Sequence, residues 1–155
     1  MKTKNLFLLL LLFVVSNSFA QQDTKPKIEE LHNKKWAYLV ENVQLTPTEA
    51  ARVKPLFLEF ETSVWKIIED SKPLYRSFHE KKDSRSEADY NQINERFVNS
   101  EMYKAQLLKN YYGKLKKLLS AETIFKYFNA ERSYRKDLIE NWQGKHSKHK
   151  GVKRP

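Results

Sequence analysis

The sequence predicts an all-α domain of four helices built around a long helical hairpin. Three observations point there. Only 3 glycines and 5 prolines interrupt the 155 residues, and Glu, Lys, Leu and Ala dominate while β-branched runs are nearly absent, a composition that favours helices joined by short turns. Two segments open with capping-box chemistry. Apolar residues then recur every three or four positions, the period of a helix with one packed side.

Before the helices comes a leader. Lys2 and Lys4 precede an uninterrupted apolar run from Leu6 to Val15, and Ser18-Phe19-Ala20 supplies small residues where a signal peptidase reads. Residues 1–20 are therefore expected to be a secretory signal peptide cleaved after Ala20, and the run is too short for a stable membrane anchor. No Cys follows the junction to carry a lipid, and no later stretch has membrane length. The expected product is residues 21–155, soluble and periplasmic, with a single helical domain over 21–144 and a disordered basic tail over 145–155.

The first helix is expected from about Lys27 to Val43, with Ile28, Leu31, Lys35, Tyr38 and Leu39 at helical spacing and Trp36 on the shoulder. The second has the clearest start: Thr46 as N-cap, Pro47 in the first helical position, and Glu49 completing the box. Leu45, just before the cap, is placed to pack on Ala50. The stripe Ala50, Val53, Phe57, Phe60, Val64, Ile67 follows, widened by Leu58, Trp65 and Ile68. Pro55 should bend this helix, and Pro73 is expected to end it rather than kink it.

His79 to Arg85 reads as an exposed polar loop, and Ser86 with Asp89 forms the second capping box. The third helix should run to about Leu119 through Tyr90, Ile93, Phe97, Leu108, Tyr112 and Leu115, with Glu101 and Lys104 breaking the stripe. Gly113 carries no assigned role. Ser120 caps the fourth helix and Glu122 sits in its first turn, where the helix dipole favours an acid. Ile124, Tyr127, Phe128, Tyr134, Leu138 and Trp142 supply its apolar side.

The formal charge is +10. In an exported chain such a balance points away from nucleic acid and towards acidic proteins, envelope polyanions or simple solubility. With no Cys, disulfides, thiol nucleophiles and thiolate metal sites are excluded. The four histidines are His32, His79, His146 and His149. Only the last two are close, and they fall in the expected tail, so no metal site is assigned. No Ser-His-Asp order, phosphate-binding glycine loop or HExxH occurs. Glu59, Glu61, Glu69 and Asp70 read as a solvated helix face, and Glu131 with Arg135 or Lys114 as ordinary ion pairs. The chain is read as a non-enzyme without catalytic residues or cofactors.

The order of these motifs resembles a known family. Leu45-Thr46-Pro47-Thr48-Glu49-Ala50, leading into Pro55-Leu56-Phe57 and Phe60-Glu61, is similar to the Leu-Thr-x-x-Gln (LTXXQ) class of small helical envelope proteins, the Spy/CpxP-like group. The nearer variant is that of exported Bacteroidetes proteins labelled as sensors of an ECF-type sigma factor. Ser120-Ala121-Glu122-Thr123 stands where the group carries a weaker second copy. Tyr111-Tyr112-x-Lys114-Leu115 and Ala130-Glu131-Arg132-x-Tyr134-Arg135 fit the same variant. The resemblance covers about Ile28 to Trp142 and departs at Glu49, where better-known members have Gln.

What the resemblance implies is a curved antiparallel homodimer in the periplasm that acts as an ATP-independent chaperone for unfolded or misfolded envelope proteins. The alternatives it implies are a regulatory module for an envelope-stress sensor or anti-sigma system and a metal-responsive module. The aromatic share is large for soluble helices. Phe57, Phe60, Trp65, Phe97, Tyr112, Phe128, Tyr134 and Trp142 are therefore the candidates for a protein-binding or dimer surface, and the basic tail for weak contact with envelope polyanions.

Overall fold

A computed structural model describes the backbone of residues 25–150 and the side chains of 27–141. It is helical, without a strand among the described residues: α1 (Lys25–Val43), α2 (Pro47–Glu80), α3 (Glu87–Leu115) and α4 (Ala121–Lys150). Residues 1–24, which include the expected signal peptide, and residues 151–155 lie outside the described residues.

The chain divides after Lys35 into two units. In the first, Leu31 is exposed, and Lys34 meets Glu30 at 2.6 Å, holding its carboxyl below the usual range. The core and the candidate site lie wholly in the second.

Each helix start follows from local chemistry. Thr46 Oγ1 accepts the backbone N–H of Glu49 at 3.2 Å, and Glu49 Oε2 accepts the N–H of Thr46 at 2.9 Å. Both orphan donors are thereby satisfied, and the hydrogen bond from the Thr46 backbone lowers the Glu49 pKa. Thr46→Ala should cost about 1 kcal/mol, measured by urea denaturation; an unchanged midpoint would show that the box contributes nothing. Ser86 and Asp89 repeat the pattern at 3.2 and 2.8 Å. The Lys81 ammonium and the Ser86 backbone together hold the Asp89 carboxyl far below its ordinary range. Ser120 Oγ accepts from the N–H of Thr123 at 3.1 Å.

The end of α1 carries a signal that the apolar pattern does not show. Gln44 takes a left-handed conformation (φ 59°), and Leu45 N–H donates to Val40 O at 3.2 Å. This is a Schellman-type stop, and it turns Leu45 into the core.

That core forms where the second half of α1, the start of α2, the end of α3 and the start of α4 meet. Trp36, Leu39, Val43, Leu45, Val53, Phe57, Tyr111, Leu115, Leu119, Ile124, Tyr127 and Ala130 are buried in it. Trp36 lies against Phe57 with ring centroids 5.1 Å apart, and Phe60 stacks on Tyr111 at 4.8 Å. Lys114 on α3 reaches Glu59 on α2 at 2.6 and 2.7 Å. Lys114 thus has a partner other than Glu131, which is buried at 9% exposure and is not a surface acid.

Four boundaries differ from the sequence reading. Helix α2 runs through Pro73 to Glu80. Both prolines inside it, Pro55 and Pro73, are exposed, so the carbonyls deprived of an N–H partner can turn to water. Beyond Pro73, Leu74, Tyr75 and Phe78 keep the helical spacing. The polar loop consequently shortens to residues 81–86. Helix α3 stops at Leu115, and residues 116–119 form a turn that puts Leu119 in the core. The backbone of α4 stays helical past Gly144 to Lys150, into the segment expected to be an irregular tail; a single glycine costs only about 1 kcal/mol in a helix.

Candidate protein-binding surface

Away from the core, α2 and α3 face each other along a groove whose described lining comes from these two helices. The small residues Ser71 and Ser100 are the buried polar residues of this stretch. The Ser71 hydroxyl donates to Ile67 O at 2.7 Å and accepts from Arg96 Nε at 2.9 Å, so its proton and one lone pair are used within the hairpin.

Beside this seam lies an open groove of about 340 Å³ whose walls include Ile67, Ile68, Tyr75, Phe97 and the stems of Lys72 and Lys104. Two helices alone cannot cover apolar residues on their flanks, so Ile68 remains 40% exposed and Phe97 57%. From Phe97 the row continues along α3 through Glu101, Lys104, Leu108 and Tyr112 at spacings of three and four, a single helical face. Leu108 and Tyr112 are exposed. Glu101 and Lys104, which break the apolar stripe, neutralise one another at 2.8 Å. On the opposite wall Lys72 pairs with Glu69 at 2.6 Å and stands 5.4 Å over the Trp65 ring. The groove thus joins apolar and charged lining residues, with ammonium groups that can exchange a neighbouring acid for one on a bound chain.

The eight aromatic candidates divide sharply. Phe97 and Tyr112 are exposed on the row just described. Phe60, Trp65, Phe128 and Tyr134 are half-buried, Phe60 under Tyr111 and Tyr134 against Tyr38 at 5.1 Å. Phe57 is completely buried and belongs to the core, not to any binding surface. The side chain of Trp142 lies outside the described residues. Of the motif residues, Leu45 is buried in the core, Thr46 and Ser120 cap helices, and Pro47 starts α2. Glu49 closes its box, and Glu122 meets Lys126 at 2.7 Å, a contact that lowers its pKa. All are occupied structurally.

Ile67, Ile68, Tyr75 and Leu108 are the apolar groove and row residues that the sequence-based candidate set lacks. Ile68 and Leu108 stand at helical spacing on amphipathic helices, but spacing alone does not say on which side a third helix will be missing. Ser71 and Ser100, as small residues amid bulky neighbours, were the available signal for where the hairpin buries polar groups. Among the described residues no three or more His, Asp or Glu come together as a metal-binding group, and His146 and His149 lie outside the described side chains.

No family model, curated protein or solved structure matches the chain.

Proposed function

We propose that this chain is a periplasmic, ATP-independent chaperone-like protein that binds unfolded or misfolded envelope proteins through the α2–α3 groove and the adjoining row on α3. The observation that carries the reading is the groove itself, in which Ile68 and Phe97 stay exposed between Lys72 and Lys104. An unfolded chain offers apolar side chains without a fixed shape, and an open apolar trough with mobile cations at its rim accepts many of them weakly. A partner of single identity would instead call for an enclosed pocket around one anchor. The export leader and the Spy/CpxP-like motif order favour the same compartment and role. Val98 and Met102, exposed four residues apart on the neighbouring side of α3, are where a second copy would pack in the homodimer.

The test is suppression of aggregation of several unrelated denatured clients by stoichiometric protein without nucleotide, at low and at high salt. Protection of all of them, reduced by salt, is the expected result, and the Ile68→Ser/Phe97→Ser double variant should weaken client affinity roughly tenfold while its melting curve stays close to that of the parent. Protection of none, with tight capture of one envelope sensor, would replace this reading by the regulatory module. Light scattering that shows a monomer at micromolar concentration would remove the dimer.

A further inference from the structure

Helix α4 presents a second surface, separate from the groove. Phe125, Phe128, Arg132, Arg135 and Ile139 follow one another at spacings of three and four, and Lys136 stands four residues after Arg132, which places all six on one side of the helix. Over the first part of the helix the opposite side, with Ile124, Tyr127, Ala130 and Glu131, is buried, while farther on Leu138 on that side is 48% exposed. Phe125 is 68% exposed and Ile139 52%, so large apolar groups stand in water at both ends of the face. Between them, Arg132 and Arg135 form no ion pair among the described residues. The acids nearest the face are already occupied, Glu122 by Lys126 at 2.7 Å and Glu140 by Lys136 at 3.7 Å. Phe128 leans on Tyr112, and Lys116 stands 4.8 Å over that ring, which extends the same mixture onto the end of α3.

We propose that this face of α4 docks on the surface of a bilayer rich in anionic phospholipid. Apolar side chains on one helical face can enter the boundary between headgroups and acyl chains, while the long Arg and Lys side chains reach back to the phosphates. Charge complementarity is strong. From Arg132 onward the sequence has Arg132, Arg135, Lys136, Lys145, Lys148, Lys150, Lys153 and Arg154 against only Asp137 and Glu140. Each cation brought to an anionic membrane surface strengthens binding about fivefold. The geometry favours a plane over a protein segment. Phe125 and Ile139 lie about 21 Å apart along a helix, and the residues that line the described groove are all on α2 and α3. No described helix is long and apolar enough to cross a membrane, so the contact is one of lying on the surface.

Flotation of residues 21–155 with vesicles tests the proposal. Binding is expected to vesicles of equal parts phosphatidylglycerol and phosphatidylcholine, to be lost with phosphatidylcholine alone, and to be released by high salt. Arg132→Gln/Arg135→Gln should weaken partitioning roughly 25-fold, and Phe125→Ser/Ile139→Ser should also release the protein, both with unchanged melting curves because these side chains are exposed. Several results would overturn it: no binding, equal binding to both vesicle types, or normal flotation of both double variants. Loss of binding only when residues 145–155 are removed would assign the effect to the chain end instead. Capture by a poly-glutamate peptide with no vesicle binding would assign the face to an acidic protein. None of these substitutions touches the α2–α3 groove, so the two proposals fail separately.

Discussion

Phe57→Ala should destabilise the fold by about 3–5 kcal/mol, lowering the melting temperature on the order of 10–20 °C. The ring is wholly inaccessible, packs on Trp36 at 5.1 Å, and sits on the α2 stripe one turn after the equally buried Val53. Removing it deletes the apolar contacts of a full ring and leaves a cavity between helices that cannot close up without moving. Phe97→Ala provides the contrast: its ring is mostly in water, and its loss should cost less than about 1 kcal/mol. Chemical denaturation of both variants checks the pair. Equal, small effects would mean that the core at the junction of the four helices is not assembled as described.

Stability should fall steeply on the alkaline side of about pH 10, the ordinary tyrosine value. Tyr111 and Tyr127 share a hydroxyl–hydroxyl hydrogen bond of 2.8 Å inside the core. Burial raises the pKa of both, and the Glu131 and Glu61 carboxylates push further in the same direction. The folded state therefore holds two protons that the unfolded chain releases. Their contribution is complete below the unfolded tyrosine value and is lost as pH rises above it, at up to about 1.4 kcal/mol per pH unit for each ring. Denaturation midpoints taken from pH 8 to about pH 12 should show the loss, and the Tyr111→Phe/Tyr127→Phe double variant should show a flatter alkaline limb. A parent and a double variant with parallel limbs would assign alkaline unfolding to the lysines instead. The single change Tyr127→Phe is less favourable than the double one, because it strands the Tyr111 hydroxyl without its partner.

The folding pattern of this chain was legible wherever one short stretch of sequence controls it. Thr46-Pro47-x-Glu49 and Ser86-x-x-Asp89 each close a ring of hydrogen bonds within four residues, so the start of α2 and of α3 could be read without any tertiary information. The same is true of Ser120 before α4. The stripe from Ala50 to Ile67 likewise showed which side of α2 is packed. Helix ends were harder. Gln44 adopts a left-handed stop without a glycine, and Pro73 lies inside a helix because it faces solvent while its neighbours stay in register against α3.

The candidate surface was only partly legible, and the reason is physical. An amphipathic helix announces that one side wants to be covered, but coverage depends on how many helices reach that level of the bundle. At the level of Phe57, α1 and α4 join the hairpin, and an aromatic of the α2 stripe becomes core. At the level of Ile68 and Phe97 the described lining comes from α2 and α3, and residues of the same type at the same spacing remain open. Local chemistry in the sequence determined the helices, their caps and their apolar sides. The tertiary structure alone decided that Lys114 reaches Glu59, that Tyr111 meets Tyr127, and that Phe57 is buried while Phe97 is not. Each of these depends on residues from separate helices arriving at one place, and no pattern within a single helix encodes that meeting.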